Sequence, residues 1–350
     1  MRKLFPNIRF LAILVTSIGI TTLGCQKKID YFEPYDPMPE AHTIINPYAG
    51  VNFSTALRLK SNLHTHTTAS DGNQSAVRMI RAYAELGYDV VAITDHEKHY
   101  AGNTEKITIE GREILVIRGS EITMTHHFNS LFTDFGRSSF AFTVEEAMQS
   151  EMDNAKSLLF LNHPGRHIWF YPISWYADMY RKFPKEHLLG QEVVNAADTY
   201  PTDRETWDKV LTAVSPFRTV YGYANDDSHA LDETGFSYNE FLVSDFTEEE
   251  VRNAIANGIS FFFSKSTIPN AMGEMPHVKS IVVDPTLLTI EVDAEKYHKI
   301  EWFSCCKIVS TSPKISINSS DERRYHLGKY VRFVLTGEGG QLFSQPFLIQ

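Results

Sequence analysis

The chain has 350 residues, 43% apolar and 22% charged, with 19 glycines and 15 prolines, a composition that excludes disordered, collagen-like and disulfide-scaffold proteins. A formal charge of −10 leaves no basic excess to neutralise a phosphate backbone, which argues against a nucleic-acid binder. Fourteen histidines beside three cysteines direct any metal chemistry to imidazole and carboxylate ligands, not thiolates.

At the start of the chain Arg2, Lys3 and Arg9 form a positive region, Phe10 to Leu23 is mostly apolar, and Leu23-Gly24-Cys25 closes it. This resembles a bacterial lipoprotein signal peptide, residues 1–24, cut before Cys25. The resemblance implies an exported protein held to the cell-envelope membrane by lipid on the Cys25 thiol. An uncleaved anchor is the alternative, but the apolar run is shorter than the ~20 residues a spanning helix needs. Residues 25–55 carry prolines and asparagines without periodicity and read as a tether and lead-in.

From Leu57 short apolar runs alternate with amphipathic stretches, the pattern of an α/β fold with parallel strands. The expected strands are Leu57 to Leu63, Asp89 to Thr94, Ile114 to Gly119, Leu158 to Asn162, Glu192 to Asn195, Thr219 to Ala224 and Ile259 to Phe263. Thr143 with Glu146, and Thr247 with Glu250, have capping-box spacing. Gly87 and Gly258 sit where helices stop. In the stretch from Asp203, Trp207, Val210, Leu211 and Val214 give one buried helical face.

After about Pro269 the helical stretches cease. Ser280 to Val283, Leu288 to Val292, Lys299 to Phe303, Tyr330 to Thr336 and Gln341 to Ile349 read as strands, with a hairpin turn at Gly337 to Gly340. Residues 269–350 are therefore expected to form a small all-β domain after an α/β domain of residues 56–268. Cys305 and Cys306 are adjacent, which supports neither a disulfide nor a metal site.

The polar residues fall where the expected strands end. The first ends in His64-Thr65-His66, two histidines on one side of an extended backbone, followed by Ser70-Asp71-Gly72. Others end in Thr94-Asp95-His96, in Ser120-Glu121 with His126-His127-Phe128-Asn129 close behind, in Asn162-His163-Pro164-Gly165-Arg166, and in Asn225-Asp226-Asp227-Ser228-His229. In a barrel of parallel strands these ends converge on one mouth. One of two consecutive histidines must face away, and His127 is taken as the ligand over His126. His99, His167, His187, His277 and His298 lack a strand-end position and read as structural.

This ordered set resembles the polymerase and histidinol phosphatase (PHP) domain family of metal-dependent phosphoesterases, over roughly Leu57 to Lys265. The resemblance implies a distorted seven-stranded β/α barrel with two or three divalent ions at its mouth. One ion would be held by His64, His66, Glu121 and Asp227, with Glu121 bridging to a second held by His127 and His163. A third would be held by Asp71, His96 and His229; Asp71 stands where some relatives have histidine. Mixed imidazole and carboxylate ligation suits zinc, manganese or iron. Such ions would activate water and clamp the oxygens of a small phosphorylated substrate.

Around this set, Arg166 is placed either to grip a phosphate with its planar donors or to form a surface ion pair. Asp95 would face away from the ions and orient another histidine. Asn195 is expected to line the site. Trp169, Phe170, Tyr171, Trp175, Tyr176, Tyr180 and Phe183 either wall a substrate cleft or pack a helical insertion. Two other readings stand beside the phosphoesterase. An amidohydrolase-like barrel shares the His-x-His but usually shows a bridging lysine at a strand end, and none of these strands offers one. The other is a surface binding protein that keeps its metals without turnover.

Overall fold

The computed structural model describes residues 43–134, 141–153, 157–267, 271–317 and 327–350. The lipoprotein signal and Cys25 lie outside these residues. Among the described residues no helix is long and apolar enough to cross a membrane.

The first half begins with β1 (Ile44–Ile45), β2 (Leu57–Asn62), α1 (Ala76–Glu85), β3 (Val90–Ile93), β4 (Glu105–Ile109), β5 (Arg112–Thr123) and β6 (His127–Leu131). There follow α2 (Val144–Met152), β7 (Leu158–Leu161), α3 (Pro164–His167), α4 (Ile173–Lys182), β8 (Leu188–Asn195) and α5 (Thr202–Val214). Then come β9 (Tyr221–Asn225), β10 (Ser237–Val243), α6 (Glu248–Asn257) and β11 (Ser260–Ser264). Each expected strand is present, and β1, β4, β6 and β10 are additional to them.

These additions change the sheet. Its order from one end is β9, β8, β7, β6, β5, β3, β2, β10, β11. The pairs β2–β3, β3–β5, β7–β8 and β8–β9 are parallel, as expected. By contrast β6 is antiparallel to both β5 and β7, and β10 is antiparallel to β2 and β11. Only Met124 to His126 separate β5 from β6, and so short a link permits a hairpin but not a crossover.

No ladder closes this sheet into the expected barrel among the described residues. Instead β9 meets its far neighbours through side chains. The Asn239 amide accepts from Ala224 N at 3.0 Å and donates to Ala224 O at 3.0 Å, doing for β9 and β10 what a backbone ladder would do. Asn225 Oδ1 accepts from Leu63 N at 3.0 Å, and Thr65 and Ser228 form an isolated parallel bridge.

Leu59, Leu63, Val90, Ala92, Leu115, Ile117, Phe160, Leu189, Tyr223 and Phe241, contributed by β2, β3, β5, β7, β8, β9 and β10, pack into one buried cluster. Each buried leucine, valine, isoleucine or phenylalanine among them contributes roughly 1.5–3 kcal/mol. Helix α6 joins this cluster through Val251, Ala254 and Ile255, whereas α1, α2, α4 and α5 bury their apolar faces in other clusters. On α5 the side chains Trp207, Val210, Leu211 and Val214 are buried, and α1 buries Met79, Ile80, Tyr83 and Ala84. Thr143 and Glu146 form the reciprocal box at the start of α2. At α6 Thr247 caps Glu250 N, but the Glu250 carboxylate is taken by Ser244, so the second box is half made. Gly258 ends α6 at φ 62°, a left-handed turn that glycine adopts without strain.

The C-terminal segment is all strand among the described residues: β12 (His277–Asp284), β13 (Thr289–Glu295), β14 (Lys299–Ser304), β15 (Lys307–Ser310), β16 (Lys314–Ser316), β17 (Tyr330–Gly337), β18 (Gly340–Ser344) and β19 (Phe347–Ile349). A separate three-stranded sheet holds β12, β13 and β16. The other C-terminal strands extend the large sheet, since β18 pairs antiparallel with β11 and then with β17. Trp302, Val331, Phe333 and Phe347 share a core with Met79, Ile80 and Tyr83 of α1. The expected boundary near residue 269 therefore does not separate two cores. Nor is the lead-in a free tether over residues 43–55: β1 pairs with β19, and buried Tyr48 donates to Ser260 O at 3.1 Å. Cys305 and Cys306 are free and occupy the two-residue turn between β14 and β15, at φ 47° and 61°. Left-handed torsions at both positions are what a tight hairpin turn requires.

Candidate metal centre

Strand periodicity carries the core pattern into the site. On β3 and beyond, Val90 and Ala92 are followed in phase by Thr94 and His96; on β5, Leu115 and Ile117 by Gly119 and Glu121; on β9, Tyr223 and Asn225 by Asp227. Buried asparagines lock the strand ends. Asn62 donates to His64 O at 2.9 Å and accepts from Asp226 N at 2.8 Å. Asn129 donates to Leu63 O at 3.0 Å, and Asn162 to Glu121 Oε1 at 2.7 Å.

Three clusters of ligand atoms result. In the first, His64 Nε2 and His66 Nε2 are 3.1 Å apart, and Asp227 Oδ1 lies 3.1 and 3.0 Å from them. Glu121 adds Oε1 at 3.4 Å from His64 and Oε2 at 3.5 Å from His66. A tetrahedral ion with bonds of about 2.0–2.1 Å has ligand–ligand edges of about 3.3–3.4 Å, so these four residues have the span of one coordination shell. The second cluster is His127, His163 and His167, with ligand atoms within 4.8 Å of one another. Glu121 Oε1 also reaches His127 Nδ1 at 3.2 Å and His163 Nε2 at 3.3 Å, and so lies between the first two clusters. The third is His66, Asp71, His96 and His229. There Asp71 lies 3.3 Å from His96 and 3.4 Å from His229. Gly72 permits this approach: a Cβ would stand 2.7 Å from the His66 carbonyl.

Among the described residues Glu121, Glu192 and Asp227 make ion pairs with histidines but with no lysine or arginine. Burial acts to lower the His64 pKa, yet Asp227, Glu192 and Glu121 overcome it and hold the imidazole well above its ordinary range. Burial likewise acts to raise Glu121, but His64 and hydrogen bonds from His127 and His163 keep it well below the usual carboxylate range. Buried polar atoms need a partner, and among the described residues His66 Nδ1, His163 Nδ1 and His167 Nε2 are buried without a hydrogen-bond partner. The donor set fits divalent cations, with imidazole and carboxylate both represented.

Of the residues singled out in the sequence, His64, His66, Asp71, His96, Glu121, His127, His163, Asp227 and His229 all lie at this centre. Arg166 sits beside it on α3, exposed, and its guanidinium has no hydrogen bond or ion pair among the described residues. His126 faces away: it is 3.0 Å from the Tyr176 hydroxyl and stacks on Trp175. Asp95 does not orient a histidine. Its carboxylate accepts from Thr67 N, Thr67 Oγ1 and Ser70 Oγ, and so fixes the loop that carries Asp71. The residue that orients a histidine is Glu192, 2.9 Å from His64 Nδ1 and accepting from His163 N at 2.9 Å. Asn195 donates to Glu192 at 2.7 Å and to Asp227 at 3.3 Å. The aromatic stretch divides: Tyr176, Tyr180 and Phe183 are core, whereas Trp169 and Phe170 are 81% exposed beyond Arg166. His167, read as structural, joins the second cluster; its signal was the four-residue spacing from His163 on one helical turn.

The PHP domain family matches residues 62–230, which span the whole set of ligands. A PHP domain is thus present at residues 62–230. No protein of curated function matches it. Among solved structures, a two-domain protein containing a predicted PHP-like metal-dependent phosphoesterase from Bacteroides vulgatus is 16% identical, with a TM-score of 0.47 over 89% of this chain and 92% of that one. A lesion-specific endonuclease from Pyrococcus furiosus is 16% identical, with a TM-score of 0.41 over 70% and 62% of the two chains. An amidohydrolase from Chromobacterium violaceum is 15% identical, with a TM-score of 0.34 over 49% and 87%.

Proposed function

We propose that this chain is a metal-dependent phosphoesterase acting on small phosphomonoesters or phosphodiesters, exported and lipid-anchored through Cys25. The PHP domain and the histidine and aspartate clusters support the broader class, a metal-dependent hydrolase. One observation carries the reading: the buried carboxylate of Glu121 lies 2.8–3.5 Å from ring nitrogens of His64, His66, His96, His127 and His163, so that it could serve as a ligand together with histidines of more than one cluster. The ions bound there would supply Lewis acidity toward a phosphoryl oxygen and a nucleophile from water near neutral pH.

The protein's own groups do the rest. His64, His66 and Asp227 present three ligand atoms already converged, so little reorganisation accompanies binding. Glu192 keeps the His64 ring turned so that Nε2 faces the centre. Arg166, without a partner among the described residues, is available to take two phosphate oxygens with parallel donors. The bridging position is a carboxylate and not a lysine, which favours this reading over the amidohydrolase one.

The deciding experiment measures metal content beside hydrolysis of a phosphomonoester and a phosphodiester of the same alcohol, for the wild type and Glu121→Gln. The variant should lose bound metal and nearly all turnover. Full metal and full turnover in Glu121→Gln would overturn the mechanism, and metal without turnover in the wild type would favour a binding protein. Retention of a Cys25→Ser protein in membranes after a salt wash would remove the lipid anchor.

A further inference from the structure

We propose that His167 is a metal ligand, binding the same ion as His127 and His163 and making the second site a three-imidazole site. The inference deepens the metal-centre reading above and rests on it. Three observations meet at this residue. His167 is 7% exposed, and its Nε2 is buried without a hydrogen-bond partner among the described residues. Its ring lies 5.1 Å from that of His127 and 5.3 Å from that of His163, with one nitrogen of each within 4.8 Å of the others. A buried imidazole nitrogen with no donor or acceptor costs free energy unless something occupies its lone pair.

The turn that presents His167 is built rather than incidental. His163 precedes α3 at φ 29°, a left-handed torsion that a branched or bulky residue adopts only under constraint. Pro164 opens the turn, and its fixed torsion suits a first helical position. Gly165 then lies so close to α5 that a Cβ would stand 2.4 Å from Thr202 Oγ1, and its N–H donates to the buried Asp203 carboxylate. Anchored this way, the turn sets His163 and His167 four residues apart on one face.

A third imidazole changes which ion the site prefers. Nitrogen-rich sets favour zinc over manganese or magnesium, which take more oxygen. His167 therefore biases the second site toward zinc.

Zinc-soaked crystals of the wild-type chain, with anomalous data at the zinc edge, test this directly. An ion about 2.0–2.1 Å from a ring nitrogen of each of His127, His163 and His167 is expected. An ion on His127 and His163 with His167 beyond bonding distance overturns the assignment. In solution, metal-stripped wild type and His167→Ala are titrated with zinc, manganese and cobalt. The variant should lose roughly tenfold or more in affinity for one zinc ion, less for manganese, together with the strong visible absorption of four-coordinate cobalt. Unchanged affinities and an unchanged cobalt spectrum overturn it. Should His167→Ala fail to fold, the diffraction experiment on the wild type decides alone. A wild-type chain that binds no divalent ion removes the metal-centre reading as well, whereas ions bound without His167 remove only this inference.

Discussion

Glu192 Oε1 lies 2.9 Å from Nδ1 of His64, and both side chains are fully buried. The contact turns the ring so that Nε2 faces His66 and Asp227, and in a metal-bound, neutral His64 it would keep the proton on Nδ1. Glu192 does more than orient one ring: its second oxygen accepts from His163 N and from Asn195, so one carboxylate steadies residues of two ligand clusters. Glu192→Gln puts an amide N–H where donors already point. Metal affinity should fall roughly 10–100-fold with the fold retained. Competition with a chromophoric chelator measures it, and an unchanged affinity would remove Glu192 from the site.

Arg166 tests substrate capture apart from metal binding. Arg166→Lys keeps the charge and loses the planar fork, so metal content should stay at the wild-type value. The loss of one charge-assisted contact of about 1–3 kcal/mol predicts a drop of roughly 5- to 150-fold in kcat/KM. Parallel metal analysis and steady-state kinetics give the answer. A variant that loses its metal instead would show that Arg166 supports the ligands.

A stability prediction follows from the pair that ties α5 to β17. Arg332 donates to both oxygens of Asp208, at 2.8 and 2.7 Å, and the Tyr330 hydroxyl donates to the same carboxylate at 3.1 Å. All of this is buried. Arg332→Met leaves Asp208 charged, buried and short of its partner, which should cost about 3–5 kcal/mol. Replacing both, Asp208→Leu with Arg332→Met, should recover most of that loss. Urea unfolding of the two variants separates a buried charge from lost packing.

Glu151 predicts a pH dependence remote from the metal centre. Burial pushes its carboxyl up to about 7, with Ser130 and Thr133 donating hydrogen bonds that only partly offset it. Below the ordinary value of 4.5 both folded and unfolded chains hold the proton. Between 4.5 and about 7 the unfolded chain releases it first, so stability falls as pH rises, and above about 7 the penalty is constant. The full difference is worth about 3 kcal/mol. Glu151→Gln should remove this slope and be more stable than wild type at pH 8. Urea midpoints at pH 5 and pH 8 for both proteins check it; equal slopes would mean that Glu151 ionises normally.

Much of the site was legible along the chain because its signals are local. The two-residue period that buries Val90 and Ala92, or Leu115 and Ile117, continues without a break to His96 and Glu121, so strand ends and ligands announced each other. Helix α5 was legible for the same reason, its buried face written at helical spacing. What stayed hidden depends on residues distant in sequence meeting in space. The hairpin of β5 and β6 and the antiparallel β10 are choices of partner, which periodicity does not encode. Glu192 looked like any strand residue until folding set it against His64, 128 positions earlier. His167 looked structural until the turn after His163 was pressed against α5. The amino-acid sequence by itself determined which side chains can bind a cation and where each strand delivers them. Only the tertiary structure decided which of them come within reach of one another, because that depends on ångström-scale convergence of six strand ends, fixed by packing and by buried asparagine and carboxylate hydrogen bonds between them.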